Sequence, residues 1–160
     1  MVSESTSKSL ELRSCVELAE IAKGPSKYEV CSPDLSRALE AITVLGIRAA
    51  SDLEAVAAML EVIQATNWWV TLEQSLDAVL TTANADQLQW LARSFYDDFW
   101  QEGDYGGGVV IPWRLKRVVD RLLDLGVPLE QAVPGVDAQL VQELITNARE
   151  EYKRFYPAAT

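Results

Sequence analysis

Histidine is absent from the 160 residues of this chain, and only two cysteines occur. Without histidine the chain cannot form Ser-His-Asp or Cys-His catalytic sets, histidine-ligated metal sites or an imidazole pH switch. Two thiols are also too few for a four-cysteine zinc site. These absences remove the commonest enzyme and metalloprotein classes, and we expect neither a cofactor nor a metal.

The two cysteines are Cys15 and Cys31. In a reducing compartment thiols of this kind usually serve as small buried apolar side chains. We expect that role for both, and the sequence alone leaves open whether they pair in a disulfide.

Long apolar runs are missing as well. Residues 1–9 are polar and contain no apolar stretch of the secretory type. No run approaches the ~18–20 apolar residues that a membrane-spanning helix needs. We therefore expect a cytoplasmic protein that does not contact a membrane.

Positive charge is scarce. The chain has 14 Lys and Arg residues against 24 Asp and Glu residues, which gives a net charge of −10. This is the wrong sign for a general nucleic-acid or anionic-membrane binder, because both of those partners are themselves negative. We expect nucleic acid as a partner only within a larger complex.

Strand signals are also lacking, since no segment of six or more residues alternates strictly between apolar and polar. Helical periodicity and cap residues instead predict six to seven helices. We predict an all-α fold, an irregular orthogonal bundle forming a single domain over residues 10–156, with a disordered segment 1–9 and a tail 157–160. The predicted helices cover Leu10–Lys23, Ser32–Gly46, segments starting at Ser51 and Thr71, Asn84–Glu102, Pro112–Gly126 and Asp137–Phe155.

The predicted helix ends follow from cap residues. Ser51, Thr71 and Asn84 each have Glu or Gln three residues later, the pattern of a capping box. Gly46 and Gly126 are predicted to end their helices in the left-handed conformation. Apolar residues at helical spacing are expected in the core, among them Leu12, Val16, Leu53, Leu125, Leu140 and Phe155.

No motif predicts catalysis. Gly106–Gly108 is not followed by the Lys-Ser/Thr of a phosphate-binding loop, and no serine lies in a Gly-x-Ser-x-Gly elbow. Asp98, Glu102 and Asp104 could hold a hard cation, but they lack the alternating oxygen ligands of a calcium loop. We predict that the chain is not an enzyme.

Aromatic and acidic residues are concentrated in one span. Residues 68–113 contain nine of the thirteen aromatic residues and seven acidic residues, against one cation, Arg93. One helical stripe cannot bury all of these rings, and exposed Trp and Tyr often mark protein contacts. The alternative is that the rings fill the core of an irregular bundle. The predicted partner-binding residues are Trp90, Tyr96, Trp100, Tyr105 and Trp113.

Four cations begin the helix that follows this span: Arg114, Lys116, Arg117 and Arg121. Cations near a helix N-terminus are unfavourable by ~0.3–1 kcal/mol each, which suggests a compensating anion. We expect the acids at positions 97, 98, 102 and 104 to supply it from within the chain. The alternative is an external anion, such as a phosphate backbone or an acidic partner, contacted by these four side chains.

Together these patterns predict a non-enzymatic helical protein-interaction module, a small subunit or adaptor of a larger macromolecular assembly. Two alternatives stay open. The chain could be an accessory small subunit of a nucleoprotein complex that contacts phosphates through its basic helix start. It could also be an acidic inhibitor that mimics nucleic acid.

Overall fold

The chain is built from α-helices. The computed structural model describes residues 9–24, 33–66, 69–102 and 108–157, and within those ranges there is no strand. The predicted all-α helical bundle is confirmed. A 3₁₀ turn, Leu10–Leu12, is followed by α1 (Cys15–Ala22), α2 (Pro33–Ala49), α3 (Leu53–Ala65), α4 (Trp69–Thr82), α5 (Ala85–Glu102), α6 (Val110–Asp124), α7 (Leu129–Ala132), α8 (Ala138–Ile145) and α9 (Ala148–Phe155).

The helices group into two compact units, Met1–Thr82 and Ala83–Thr160. The single domain predicted over residues 10–156 stays a prediction, because a division into compact units does not show whether they unfold together. Of the predicted terminal segments, 1–9 and 157–160, only Ser9 and Pro157 are among the described residues.

The first unit consists of α1 to α4. Helices α1, α2 and α3 pack against one another, and α4 packs against α2 and α3. Ser14 caps α1 in a capping box with Glu17, and Asp52 caps α3 by accepting a 2.9 Å hydrogen bond from the Glu54 amide. The apolar faces of the four helices bury the core side chains Leu18, Ala22, Ala38, Leu45, Val56, Met59, Val62, Leu76 and Val79.

Three cap predictions in this unit are wrong. Helix α2 continues through Gly46 to Ala49, and the caps predicted at Ser51 and Thr71 are not used there. Thr71 is instead fully buried inside α4. At Gly46 the helix faces α4, where an added Cβ atom would make an ordinary contact with Ala78 at 3.8 Å. At the start of α3 the neighbouring Asp52 takes the cap position instead of Ser51. The core positions predicted at Leu12, Val16 and Leu53 are wrong as well, because these side chains are exposed.

The second unit consists of α5 to α9. The predicted capping box of α5 is confirmed, because Asn84 and Gln87 exchange hydrogen bonds of 2.8 and 2.9 Å. Gly126 ends α6 as predicted, with φ of 89°. The core side chains come mainly from α5 and α6: Leu88, Leu91, Ala92, Phe95, Leu115, Val118, Val119 and Leu122.

Two predictions in the second unit are corrected. Helix α6 begins at Val110, two residues before Pro112. The helix predicted over Asp137–Phe155 is two helices, α8 and α9, because Asn147 takes a left-handed φ of 64° between them. Leu140, Phe155 and, at the end of α6, Leu125 are exposed rather than buried, whereas Val141, Ile145, Ala148 and Tyr152 keep a buried stripe on both sides of the break.

Candidate protein-interaction surface

Helix α5 carries two exposed tryptophans. Its core face is fixed by Leu88, Leu91 and Phe95, which recur at helical spacing and are buried. Successive residues turn by about 100°, which places Trp90 and Trp100 away from that face. Their exposed fractions are 46% and 64%. The core stripe of α5 thus determines that both rings face outward.

The aromatic side chains near the end of α5 contact one another. The rings of Tyr96 and Trp100, four residues apart, meet edge to face with centroids 6.1 Å apart. Phe99 makes a similar contact with Trp100 at 5.1 Å. Such contacts restrict the rotamers of Trp100 although most of its ring is exposed. The structure therefore brings together two of the five predicted partner-binding residues and keeps a third, Trp90, on the same helix.

Polar side chains on α5 tie the helix to the segment around α7. Gln89 donates a 2.9 Å hydrogen bond to the carbonyl of Gln131, and Arg93 donates one of 2.7 Å to the carbonyl of Pro134. Arg93 also pairs with Asp97, one turn along, at 3.0 Å. These bonds and the core stripe hold α5 in place, so the exposed rings stand on a fixed support.

Trp113 and Tyr105 do not join this cluster. Trp113 stacks on Tyr152 of α9 with centroids 5.7 Å apart, and Tyr152 in turn contacts Tyr156 at 5.0 Å. Trp113 therefore links α6 to α9. Tyr105 lies outside the described residues. The partner-binding role of all five residues stays a prediction.

The predicted anion contacts have neighbours within the unit. Lys116 pairs with Asp120 at 2.9 Å, and the Arg117 guanidinium lies 5.9 Å from the centroid of the Trp113 ring. The Nε atom of Arg121 is buried without a hydrogen-bond partner among the described residues. Arg114 is half-buried. Binding of an external anion by these four side chains stays a prediction.

The internal compensation expected from the acids at 97, 98, 102 and 104 stays a prediction. Asp97 pairs with Arg93 of its own helix rather than with the start of α6. Asp104 and the side chain of Glu102 lie outside the described residues, so the compensation by these two, and their role in a cation site, stay untested.

One further group of polar side chains lies in the first unit. Among the described residues, Cys15, Asp52 and Glu54 bring three possible metal-ligand atoms within 4.8 Å of one another. Arg48 donates to the Cys15 sulfur at 3.8 Å, and its positive charge opposes a cation there. Cys15 is a buried free thiol, as predicted, and Cys31 lies outside the described residues.

A shallow, open groove of about 420 Å³ runs between α2 and α4. Its walls are formed by both helices and contain one carboxylate, Asp77. None of the predicted site residues that the structure describes lines this groove, which leaves α5 as the place where described predicted residues meet.

Gln89 and Arg93 are the residues of this surface that the sequence did not single out. Both donate to backbone carbonyls, which carry no sequence signal of their own. The sequence offers only their spacing of four residues, which predicts that both side chains lie on the same side of α5.

In comparisons with known proteins, no family model, no curated protein and no solved structure matches this chain. Among the described residues, no helix combines the length and the apolar character needed to cross a bilayer. A proposal for the function therefore rests on the side chains of this chain alone.

Proposed function

We propose that this chain is a non-enzymatic helical protein-interaction module that serves as a small subunit or adaptor of a larger macromolecular assembly. In this proposal the outer face of α5, with Trp90, Tyr96 and Trp100, contacts a partner protein. The observation that supports it is the 64% exposure of Trp100, a large ring held in place by its contacts with Tyr96 and Phe99.

The energetic reason is the apolar area of the tryptophan rings. Covering a mostly exposed indole contributes about 3 kcal/mol from its area, at roughly 25 cal/mol per Å². Because the ring of Trp100 is already restricted, less side-chain entropy is lost when a partner covers it. Residues of this kind usually dominate the binding energy of an interface.

The acidic residues around these rings suggest the chemistry of the partner. Asp97 lies one turn before Trp100, and α5 carries Asp86, Asp97, Asp98 and Glu102 against Arg93. A surface with this charge favours a partner whose rim carries Lys and Arg, because complementary charge speeds association and excludes acidic competitors. We expect a partner with an apolar pocket and a basic rim.

The experiment is affinity capture from the native cell with a photo-crosslinking residue in place of Gln101, which is exposed beside Trp100. We expect crosslinks to one protein partner. The Trp90→Ala/Trp100→Ala variant should lose at least about tenfold of the captured partner, as for interface hot spots. The matched control is Leu140→Ala/Leu123→Ala, which removes exposed apolar side chains of the same unit outside α5.

Equal capture by the tryptophan variant and the control would contradict the proposal. The nucleoprotein alternative is decided by the same capture, repeated after nuclease treatment and over a range of salt concentrations. Partner capture that needs nucleic acid and weakens steeply with salt, and that depends on Arg121, would favour that alternative instead.

A further inference from the structure

The two exposed tryptophans of α5 have neighbours of opposite charge. Asp97 lies one turn before Trp100, whereas Arg93 lies one turn after Trp90. Residues three apart on a helix are neighbours on its surface, so Trp100 has a carboxylate beside it and Trp90 has a guanidinium. A positive charge is therefore favoured beside Trp100 rather than beside Trp90.

The rings that surround Trp100 add to this preference. Tyr96 and Phe99 meet it at interplanar angles of 68° and 82°, with ring centroids 6.1 and 5.1 Å away. The face of an aromatic ring is negative and attracts a cation within about 6 Å of the centroid, and several such rings form the cages that hold cations. Trp90, by contrast, makes no ring contact within the described part of the chain.

The place of Trp100 in the last turn of α5 also favours a cation. The final carbonyl groups of a helix carry partial negative charge, which Lys or Arg in the last turn usually offsets. Helix α5 has no basic residue in its last turn. Positions 94–113 contain four acidic residues and no Lys or Arg. The end of α5 thus has no cation close to it in sequence.

A guanidinium already lies over an indole elsewhere in this unit. The Arg117 guanidinium is 5.9 Å from the centroid of the Trp113 ring, one turn away on α6. Trp100 has no basic residue at the corresponding positions, since the residues three and four away from it are Tyr96, Asp97, Gly103 and Asp104. Its ring is 64% exposed and accessible to a group from another molecule.

We propose that the corner formed by Tyr96 and Trp100 binds an arginine side chain of the partner protein, with the guanidinium against the Trp100 ring and an N–H group donating to Asp97. This inference rests on the proposed function, because the arginine belongs to the basic rim of the same partner. It names the chemical group that covers Trp100.

Arginine fits this site better than lysine. A guanidinium is planar, so it can lie flat on an indole and still donate hydrogen bonds from its edge. It is also more weakly hydrated than an ammonium group, which lowers the cost of its contact with a ring. The Asp97 carboxylate accepts from the Nε atom of Arg93 at 3.0 and 3.2 Å. A carboxylate has about four acceptor positions, so Asp97 can accept from a second donor as well.

The test uses the full chain with a fluorinated tryptophan in place of Trp100 and acetyl-arginine amide as the probe. Fluorine NMR follows the label during a titration at about 0.15 M salt. We expect a concentration-dependent shift, and about two- to fivefold weaker binding of acetyl-citrulline amide, which has a similar shape without the charge. The same label in place of Trp90 is the matched control and should show no preference for the charged probe.

A second measurement separates attraction to the ring face from simple burial of the ring. Trifluorotryptophan in place of Trp100 keeps the apolar area but weakens the negative potential of the face. We expect the arginine probe to bind at least about twofold more weakly to this protein. A ring that is covered only by apolar groups would bind its partner equally well after this change.

Asp97→Asn tests the carboxylate and should weaken binding of the arginine probe by about twofold. Asp86→Asn is the matched control, with the same charge change on α5 about 21 Å along the helix from Trp100. This distance exceeds the screening length of ~8 Å, so the control should bind the probe like the native chain. Circular dichroism checks that both variants keep their helices.

Equal binding of the charged and the neutral probe at position 100 overturns this inference, as does an equal preference at positions 90 and 100. Undiminished binding to the trifluorotryptophan protein overturns it as well. If partner capture still depends on Trp100 in those cases, the proposed function stands and another group covers the ring. If the probe binds as expected but Trp90→Ala/Trp100→Ala loses no partner, the assignment to a partner protein falls together with the proposed function.

Discussion

The Nη1 atom of Arg93 donates a 2.7 Å hydrogen bond to the backbone carbonyl of Pro134. The Nε atom of the same side chain lies 3.0 and 3.2 Å from the two carboxylate oxygens of Asp97, which fix the plane of the guanidinium. A Cβ atom at Gly135 would lie 3.0 Å from that Nη1 atom. The close approach of Arg93 to this loop therefore favours a glycine after Pro134.

We predict that Arg93→Met lowers the free energy of unfolding by about 1–2 kcal/mol, because the Pro134 carbonyl loses a charged donor. Urea denaturation followed by circular dichroism measures the change. Arg37→Met is the control, since Arg37 has no ion pair among the described residues, and we expect a change within about 0.5 kcal/mol. Equal losses in the two variants would show that the Pro134 contact contributes nothing.

Gly126 ends α6 in a Schellman motif. Its φ is 89°, and the Val127 and Gly126 amides donate to the carbonyls of Leu122 and Leu123, both at 3.0 Å. Nothing lies within 4 Å of a Cβ atom placed there, so alanine would be strained by its backbone conformation alone. We predict a loss of about 1 kcal/mol for Gly126→Ala and a smaller loss for Gly126→Asn, measured by thermal unfolding. Equal stability of the alanine variant and the native chain would contradict this account.

Gly46 should respond in the opposite direction. It lies inside α2, and an added Cβ atom would make an ordinary contact with Ala78 at 3.8 Å. Alanine is the better helix former by ~0.8–1.0 kcal/mol in a helix interior. We therefore predict that Gly46→Ala raises the unfolding free energy by up to about 1 kcal/mol. A loss of stability in the same urea titration would mean that α2 and α4 cannot accept the added methyl group.

The two glycines show how far the sequence could predict the fold. The sequence assigned a helix end to both, and this was correct at Gly126 and wrong at Gly46. Local capping rules describe the chain near a residue, whereas the contact of Gly46 with Ala78 joins residues far apart in sequence. For the same reason the break at Asn147 was missed, because the apolar spacing continues through it without interruption.

Lys23 provides a prediction about pH. Its ammonium donates to Glu20 and to Glu61 of α3, both at 2.7 Å, and these hydrogen bonds raise the pKa of Lys23 above its ordinary value of 10.5. A raised pKa stabilises the fold below the unfolded pKa, and this stabilisation is lost as the pH rises through the folded pKa. Lys23→Met should therefore be less stable than the native chain at neutral pH, with a difference that shrinks as the pH rises above 10.5 and through the raised pKa of Lys23. Urea titrations of both proteins across this range check it, and a difference independent of pH would contradict it.

The candidate surface was predictable in part. Composition located the aromatic and acidic span, and the expectation that one helical stripe cannot bury all of its rings agrees with the 46% exposure of Trp90. The sequence could not separate Trp100 from Trp113, because the position of α9, which supplies Tyr152, depends on the whole of the second unit. Which tryptophans are exposed is decided by packing between helices distant in sequence.

Trp100 and Trp113 should contribute differently to the stability of the chain. Trp113 stacks on the buried Tyr152, whereas Trp100 is 64% exposed. Trp113→Ala should therefore lower the unfolding free energy by about 2–4 kcal/mol, because it leaves a space beside Tyr152. Trp100→Ala should change it by less than about 1 kcal/mol.

Urea denaturation of the two alanine variants measures both values. Partner capture should show the reverse order, since the folded Trp100→Ala protein has lost a contact residue. Trp113→Phe should keep the capture and recover most of the stability, because a ring still stacks on Tyr152. If Trp100→Ala instead unfolds the chain while Trp113→Ala does not, Trp100 is a core residue and the α5 surface is not the contact site.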